Sequence, residues 1–374
     1  MDKRLLRPGV SAEVELVLLL STPWMTEAEV TRAIQLADGG LNWPEAFGLL
    51  MMHRTAGTAW RNIADHGMRD MHGRPLLLQL NRIFRLQELL ARDHVDYDLR
   101  LIREFDTRGI RCVMLKGITL SLMGYRHTGM RLFGDDDFLF ERARLAEVAE
   151  IMRGYGYIQG MWRAVEQQVV PASRSEILLH SVTSHETFPY TMPTTDATVL
   201  THHMVDVHFS VDLLTNRPSD ELVDRLLERR IPLEVPGGRL WSLHQEDLFL
   251  FLCIHFQREA CNQREAEEGI DLLLYKIVDL LALLEGGKYP VDLAAVVEQA
   301  ETFGFTREVY FAFAYLDALY PGRIPANIMD RLRPDSLSYL DEVRNNEKLV
   351  HTWKRPIVER FFDPLRNREL VEAL

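Results

Sequence analysis

The chain has 374 residues, of which 47% are hydrophobic and 26% charged, and its formal net charge is −12. That length suggests two or three domains with ample core, and no charge-free run of about 18 apolar residues offers a membrane-spanning helix. Duplex nucleic acid is bound mainly through basic surface, so an acidic chain without a Lys/Arg block is a poor candidate for it; one compact basic pocket for a triphosphate remains compatible.

The basic start, MDKRLLRPGVSAE, meets Glu13 and Glu15 before a signal-peptide apolar region develops. Cys112, Cys253 and Cys261 have no ligand-like spacing and sit in apolar runs, which predicts buried thiols in a reducing compartment, with the cytoplasm as expected location. Residues 11–106 carry apolar side chains at three- and four-residue spacing, with Thr26 placed to cap one helix and a long segment from about 76 to 106.

The period changes at Gly109. IRCVML (110–115) is a short β-rich run, ITLSLMGY looks helical, DDFLF (136–140) is strand-like, and 142–157 reads as a helix ending at Gly154 or Gly156. EILLHSV (176–182), HETFPY (185–190) and TVLTHHMVDVHFSV (198–211) read as strand pieces, 219–229 as a helix, and 231–243 as a hairpin turning at Pro-Gly-Gly. From Gln245 to the end the pattern returns to helices. The expected class is α+β: a small mixed sheet at 108–243, between helical regions at 1–107 and 244–374.

The informative segment is LKGITLSLMGYRHTGMRLFGDDDFLF (115–140). On a strand, residues two apart share a face with Cα atoms about 6–7 Å apart. Asp135 and Asp137 therefore point one way, and Asp136 points the other, with Phe138 and Phe140. Two such carboxylates suit one or two Mg²⁺ ions, which take oxygen ligands; without a cation they repel. Lys116-Gly117, between a strand and a helix, permits close backbone approach to phosphate. Arg131 adds a forked donor. In 199–211, alternation puts His203 on the core face and Asp206 and His208 on the opposite one. A zinc site from His202, His203 and His208 is disfavoured, because His203 faces away and no Cys is near. His255 with Arg258, and Lys276 with Asp279, are three apart on helices and each pair faces one way.

This segment resembles the polymerase-beta-type nucleotidyltransferase superfamily, and more narrowly an uncharacterised bacterial nucleotidyltransferase family with a Lys-Gly, Tyr, Arg, Gly-Asp-x-Asp-Leu/Phe-Leu signature. Lys116-Gly117, Tyr125, Arg131 and Gly134-Asp135-Asp136-Asp137-Phe138-Leu139 stand in that order. VDVHFSV (205–211), His185-Glu186, LCIHFQRE (252–259) and KIVDLLALL (276–284) resemble further family segments. The resemblance implies metal-dependent transfer of a nucleoside monophosphate from an NTP to a hydroxyl or similar acceptor on a small molecule, peptide or protein. It implies Mg²⁺ or Mn²⁺ on Asp135, Asp137 and a third acid from a neighbouring strand, for which Asp206 is the candidate as ligand or general base. Lys116, Gly117, Arg131, Gly134, His208, His255 and Lys276 are the expected nucleotide contacts; Tyr125 is expected to pack.

Two positions depart from the wider superfamily. Gly117-Ile118 replaces Gly-Ser or Gly-Gly and removes a hydroxyl contact to phosphate. Asp136 replaces an apolar residue, which predicts a carboxylate near solvent or a cation. Two alternatives stay open. A toxin-like nucleotidyltransferase acting on tRNA or protein fits the 116–120 turn, but the acidity opposes tRNA unless a basic cleft is segregated. A non-catalytic interaction protein retaining the fold predicts a missing acid, and Asp135, Asp137 and Asp206 are all present.

Overall fold

In the computed structural model, which describes residues 10–68, 74–211 and 220–373, the helical spacing of the first third resolves into α1 (Ala12–Ser21), α2 (Glu27–Asp38), α3 (Trp43–Met52), α4 (Ala56–Asp65) and α5 (Arg74–Thr107). Thr26 and Glu29 form a reciprocal capping box at the start of α2. The basic start of the chain, residues 69–73 within the expected helical stretch, and residue 219 lie outside the described residues.

The middle of the chain supplies β1 (Cys112–Met114), α6 (Ile118–Gly124), β2 (Asp136–Phe140), α7 (Leu145–Gly154), β3 (Ile158–Arg163), β4 (Gln168–Pro171), α8 (Arg174–Ser184), β5 (Tyr190–Pro193), β6 (His202–His208), α9 (Asp220–Glu228), β7 (Ile231–Val235) and β8 (Gly238–Ser242). These strands make one mixed sheet in the order β4-β3-β5-β6-β2-β1-β8-β7. The class is α+β. At its centre β2 lies antiparallel to β1 and parallel to β6, in a register that sets Asp137 beside Asp206 and Asp136 beside Val205. Side chains alternate across the sheet, so Asp137 and Asp206 share one face while Asp136 takes the other. That second face is covered by α5, whose Phe105 ring sits 6.2 Å from Phe138 and 4.9 Å from Phe140.

Several elements of this region differ from the expected pattern. EILLHSV belongs to helix α8, because Ser173 and Glu176 form a capping box ahead of it. Its apolar residues Leu178, Leu179 and Val182 follow helical spacing and are exposed. Residues 198–201 precede β6 instead of extending it: the Asp93 carboxylate on α5 accepts hydrogen bonds from the N–H groups of Thr198, Val199 and Leu200 at 2.9, 2.7 and 2.9 Å, so these donors are withdrawn from strand pairing. The hairpin β3–β4 was not legible as strands; its turn holds Gln167 at φ 50°.

The last third is helical as expected through α10 (Gln245–Cys261), α11 (Gln263–Glu268), α12 (Leu274–Glu285), α13 (Leu293–Phe303), α14 (Thr306–Leu319) and α15 (Ala326–Leu332). A hairpin, β9 (Glu342–Asn345) with β10 (Lys348–Thr352), then interrupts the helical pattern before α16 (Ile357–Phe362) and α17 (Arg368–Ala373). Asn346 at its turn adopts φ 52°, which Asn tolerates better than most residues. One contiguous buried apolar cluster runs from Leu16 on α1 through the sheet to Phe361 on α16. The three cysteines are buried and free. Among the described residues no helix is long and apolar enough to cross a membrane.

His53 fastens the N-terminal helices to α12. Fully buried, it accepts the Leu274 N–H at 3.1 Å through Nδ1. Burial, with Arg366 nearby, pulls its pKa down from 6.5 to about 3. The folded state therefore keeps His53 neutral while the unfolded chain protonates it. Its contribution is fully present above about pH 6.5 and falls by about 1.4 kcal/mol per unit as pH drops toward 3. Unfolding by denaturant at several pH values should show the stability gap between wild type and His53→Gln closing on acidification; a pH-independent gap contradicts this role.

Candidate active site

The turn between β1 and α6 requires glycine. Gly117 has φ +68°, and a Cβ there would lie 3.3 Å from Asp136 Oδ1 and 3.5 Å from the Asp135 carbonyl. This conformation lets the chain double back beside β2, so Lys116 ends above the acidic strand. Its Nζ lies 3.4 Å from Asp137 Oδ1 and 3.4 Å from His255 Nε2. Burial opposes the charge on Lys116, but Asp137, Asp135 and Glu259 outweigh it and hold the ammonium pKa well above its usual value.

Asp135, Asp137 and Asp206 converge: one carboxylate oxygen from each lies within 4.8 Å of the others. Asp137 Oδ1 accepts from His208 Nε2 at 2.9 Å, whereas Asp137 Oδ2 and Asp206 Oδ1 are buried without a hydrogen-bond partner. The electrostatics follow from this crowding. Burial raises the Asp206 pKa well above the carboxylate range, and Asp135, Asp137 and Glu186 add to it. Burial also raises Asp135, partly offset by Lys116. Asp137 falls to about 2, because Lys116 and the His208 hydrogen bond outweigh its own desolvation. Three acids with two orphaned buried oxygens fit a divalent cation, which would neutralise them and fill both oxygens.

His208 is flanked from behind as well. Its Nδ1 lies 3.4 Å from Glu186 Oε2, and Glu186 Oε1 lies 3.1 Å from His180 Nε2 on α8. Glu186 and His180 thus stand behind the imidazole, whose hydrogen bond is the one to Asp137, and a hydrogen-bonded carboxylate is the usual state of a metal ligand.

The C-terminal helices close the other side. Lys276 Nζ meets Glu259 Oε2 at 2.7 Å and the carbonyls of Ile270 and Asp271 at 2.7 and 3.2 Å, which occupies its three donors and ties α12 to α10. His255 Nδ1 also faces Glu259, at 3.4 Å. Arg131 forms a forked pair with Asp279, with contacts of 2.9–3.1 Å, and Tyr125 donates to the same carboxylate at 2.6 Å. The expected packing role of Tyr125 thus includes a hydrogen bond. Arg131 keeps one donor, Nη1, buried and unpartnered.

Two clefts meet at this wall. One, of about 60 Å³, is lined by Arg54, Lys116, Gly117, Arg131, Gly134, Asp135, His255, Tyr275 and Lys276 among others. The other, of about 260 Å³, is lined by Lys116, Asp137, Glu186, Asp206, His208, His255 and Arg258 among others. The structure thereby gathers the residues singled out from the sequence onto one wall. It adds Arg54 and Tyr275, which were not singled out, and gives Glu186 and Glu259, named only within family-like segments, a place in the site. Only Glu186 and Glu259 had a signal, as neighbours of His185 and of the His255 helix.

Asp136 corrects the solvent half of its expectation. It is fully buried, away from solvent, on the reverse face of β2. His94 Nδ1 on α5 lies 2.5 Å and His203 Nε2 on β6 lies 2.9 Å from its Oδ2. His203 points away from His202 and His208, as the strand alternation requires.

Residues 39–321 match the model of a family described as uncharacterised nucleotidyltransferase, and the chain belongs to that family. Nucleotidyl transfer from an NTP is the chemistry this membership points to. No curated protein matches the chain.

Proposed function

We propose that the protein is a metal-dependent nucleotidyltransferase that moves a nucleoside monophosphate from an NTP to a hydroxyl-type acceptor on a small molecule, peptide or protein. The observation that carries this reading is the convergence of Asp135, Asp137 and Asp206 with two buried carboxylate oxygens left unpartnered. These three residues would hold Mg²⁺ or Mn²⁺, which when bound supplies charge stabilisation at the phosphate under attack.

The chain's own groups divide the remaining work. Arg54, Lys116 and the free Nη1 of Arg131 receive the triphosphate from the smaller cleft, with Gly117 and Gly134 allowing backbone approach. His255 and Lys276 brace that wall through Glu259, while His208 keeps Asp137 oriented. The acceptor enters through the roomier cleft beside Asp206. Its hydroxyl proton passes to Asp206, the oxygen–phosphorus bond to the α-phosphate forms, and the bond to the β-phosphate oxygen breaks to release pyrophosphate. Asp206 lines that roomier cleft, so its carboxylate stands where the acceptor hydroxyl enters.

Incubation with each α-labelled NTP, Mg²⁺ or Mn²⁺ and an acceptor mixture tests the reaction. The expected result is labelled acceptor or protein together with pyrophosphate. Absence of both nucleotide binding and turnover for every NTP and metal would leave the interaction-protein alternative standing.

A further inference from the structure

The reverse face of β2 carries a second convergence that nucleotidyl transfer does not use. His94 Nδ1, an Asp136 oxygen and His203 Nε2 lie within 4.8 Å of one another, and all three side chains are fully buried. Asp98, also fully buried, places Oδ1 3.3 Å from His203 Nε2, and neither of its oxygens accepts a hydrogen bond. The geometry points to a structural metal site here: a divalent transition metal of the Zn²⁺ class, ligated by His94, His203 and Asp136 with Asp98 as the fourth group.

Four observations support it. The donor set is two imidazole nitrogens and two carboxylates, which suits Zn²⁺ and its first-row neighbours better than Mg²⁺. His94 and Asp98 are four apart on α5, so they share one helix face. The Tyr157 hydroxyl lies 2.6 Å from His203 Nδ1, which holds the ring with Nε2 facing both carboxylates. The hydrogen-bond pattern is also incomplete without a cation. Oδ1 of Asp136 and both oxygens of Asp98 are buried without a hydrogen-bond partner, and a divalent ion would give these stranded carboxylates a partner.

The present nitrogen–oxygen separations of 2.5 and 2.9 Å are shorter than the roughly 3.3 Å between ligands of a tetrahedral ion with bonds of about 2.0–2.1 Å. Binding therefore opens these two contacts by a few tenths of an ångström and draws in Asp98, which stands outside the convergent group of three. Such an ion would join α5, β2 and β6 directly behind the acidic face. The role is structural and independent of the front site.

The test uses the full chain, expressed with Zn²⁺ in the medium and dialysed against Mg²⁺ buffer without chelator. Metal analysis should find about one Zn²⁺ per chain in the wild type and in Asp135→Asn/Asp137→Asn, and at least tenfold less in Asp98→Asn and His94→Gln. Because the last variants risk misfolding, the wild type reconstituted with Co²⁺ gives a second reading: the intense visible bands of four-coordinate cobalt with nitrogen and oxygen ligands. Zinc retained by His94→Gln but lost from Asp135→Asn/Asp137→Asn would assign the ion to the front site and overturn the proposal. So would a wild type that takes up neither metal and shows two protonated imidazoles in ¹⁵N NMR spectra.

Discussion

Replacing Asp137 by Asn is expected to abolish nucleotidyl transfer while leaving the protein folded. Asp137 is where three influences meet: Oδ1 serves His208 and Lys116, and Oδ2 is buried without a partner. Asparagine keeps the volume and can still accept from His208, so packing on β2 survives. It removes the negative charge that attracts a divalent cation and anchors Lys116. Metal stabilisation of a phosphoryl oxygen supplies several kcal/mol, and each 1.36 kcal/mol is tenfold in rate, so the loss in kcat should be about 10³-fold or more. Initial rates of pyrophosphate release, beside an unfolding curve matched to wild type, check it. An interaction protein retaining this fold would keep its biological role in the same variant.

The largest expected stability effect lies one layer behind, at Arg131–Asp279. Both side chains are almost fully buried, and the pair is forked. Removing one partner of such a pair strands a charge in the core and costs about 3–5 kcal/mol. Arg131→Ala should lower the unfolding free energy by that amount, and Asp279→Leu by a similar one, because Tyr125 then also loses its acceptor. Replacing the whole set by apolar groups of similar shape, in Arg131→Met/Tyr125→Phe/Asp279→Leu, should recover most of the loss. A triple variant no more stable than the singles would mean that these residues act independently. Chemical denaturation measures all four proteins. The same arrangement gives the signature residues Tyr125 and Arg131 a structural duty: they fasten the turn before β2 to α12, and only Arg131 Nη1 is left for a ligand.

Much of this architecture was legible in the sequence because it rests on short-range periodicity. The two-residue alternation of 135–140 placed Asp136 opposite its neighbours, and the alternation of 202–208 separated His203 from Asp206 and His208. Helix signals in the N- and C-terminal thirds were equally local. What was not legible depends on partners distant in the chain. Asp93 on α5 converts 198–201 from strand to loop, and nothing within 198–201 announces it. The pairing of Arg131 with Asp279 spans 148 residues, and the environment of Asp136 is set by His94 and His203, which come from two other elements. Residue type misled at α8, where exposed Leu178, Leu179 and Val182 imitate a strand and the decisive signal is the Ser173–Glu176 cap. The hairpins β3–β4 and β9–β10 turn at Gln167 and Asn346 in positive-φ conformations, without the Gly that usually marks such turns.

The most direct measurement is a crystal of the full chain grown with Mn²⁺ and a non-hydrolysable NTP analogue, with manganese located by its anomalous scattering. A peak about 2.1 Å from oxygens of Asp135 and Asp137, within reach of Asp206 and touching the α-phosphate, is the expected result. Manganese and nucleotide bound elsewhere, with those three carboxylates free of metal, would contradict the central claim.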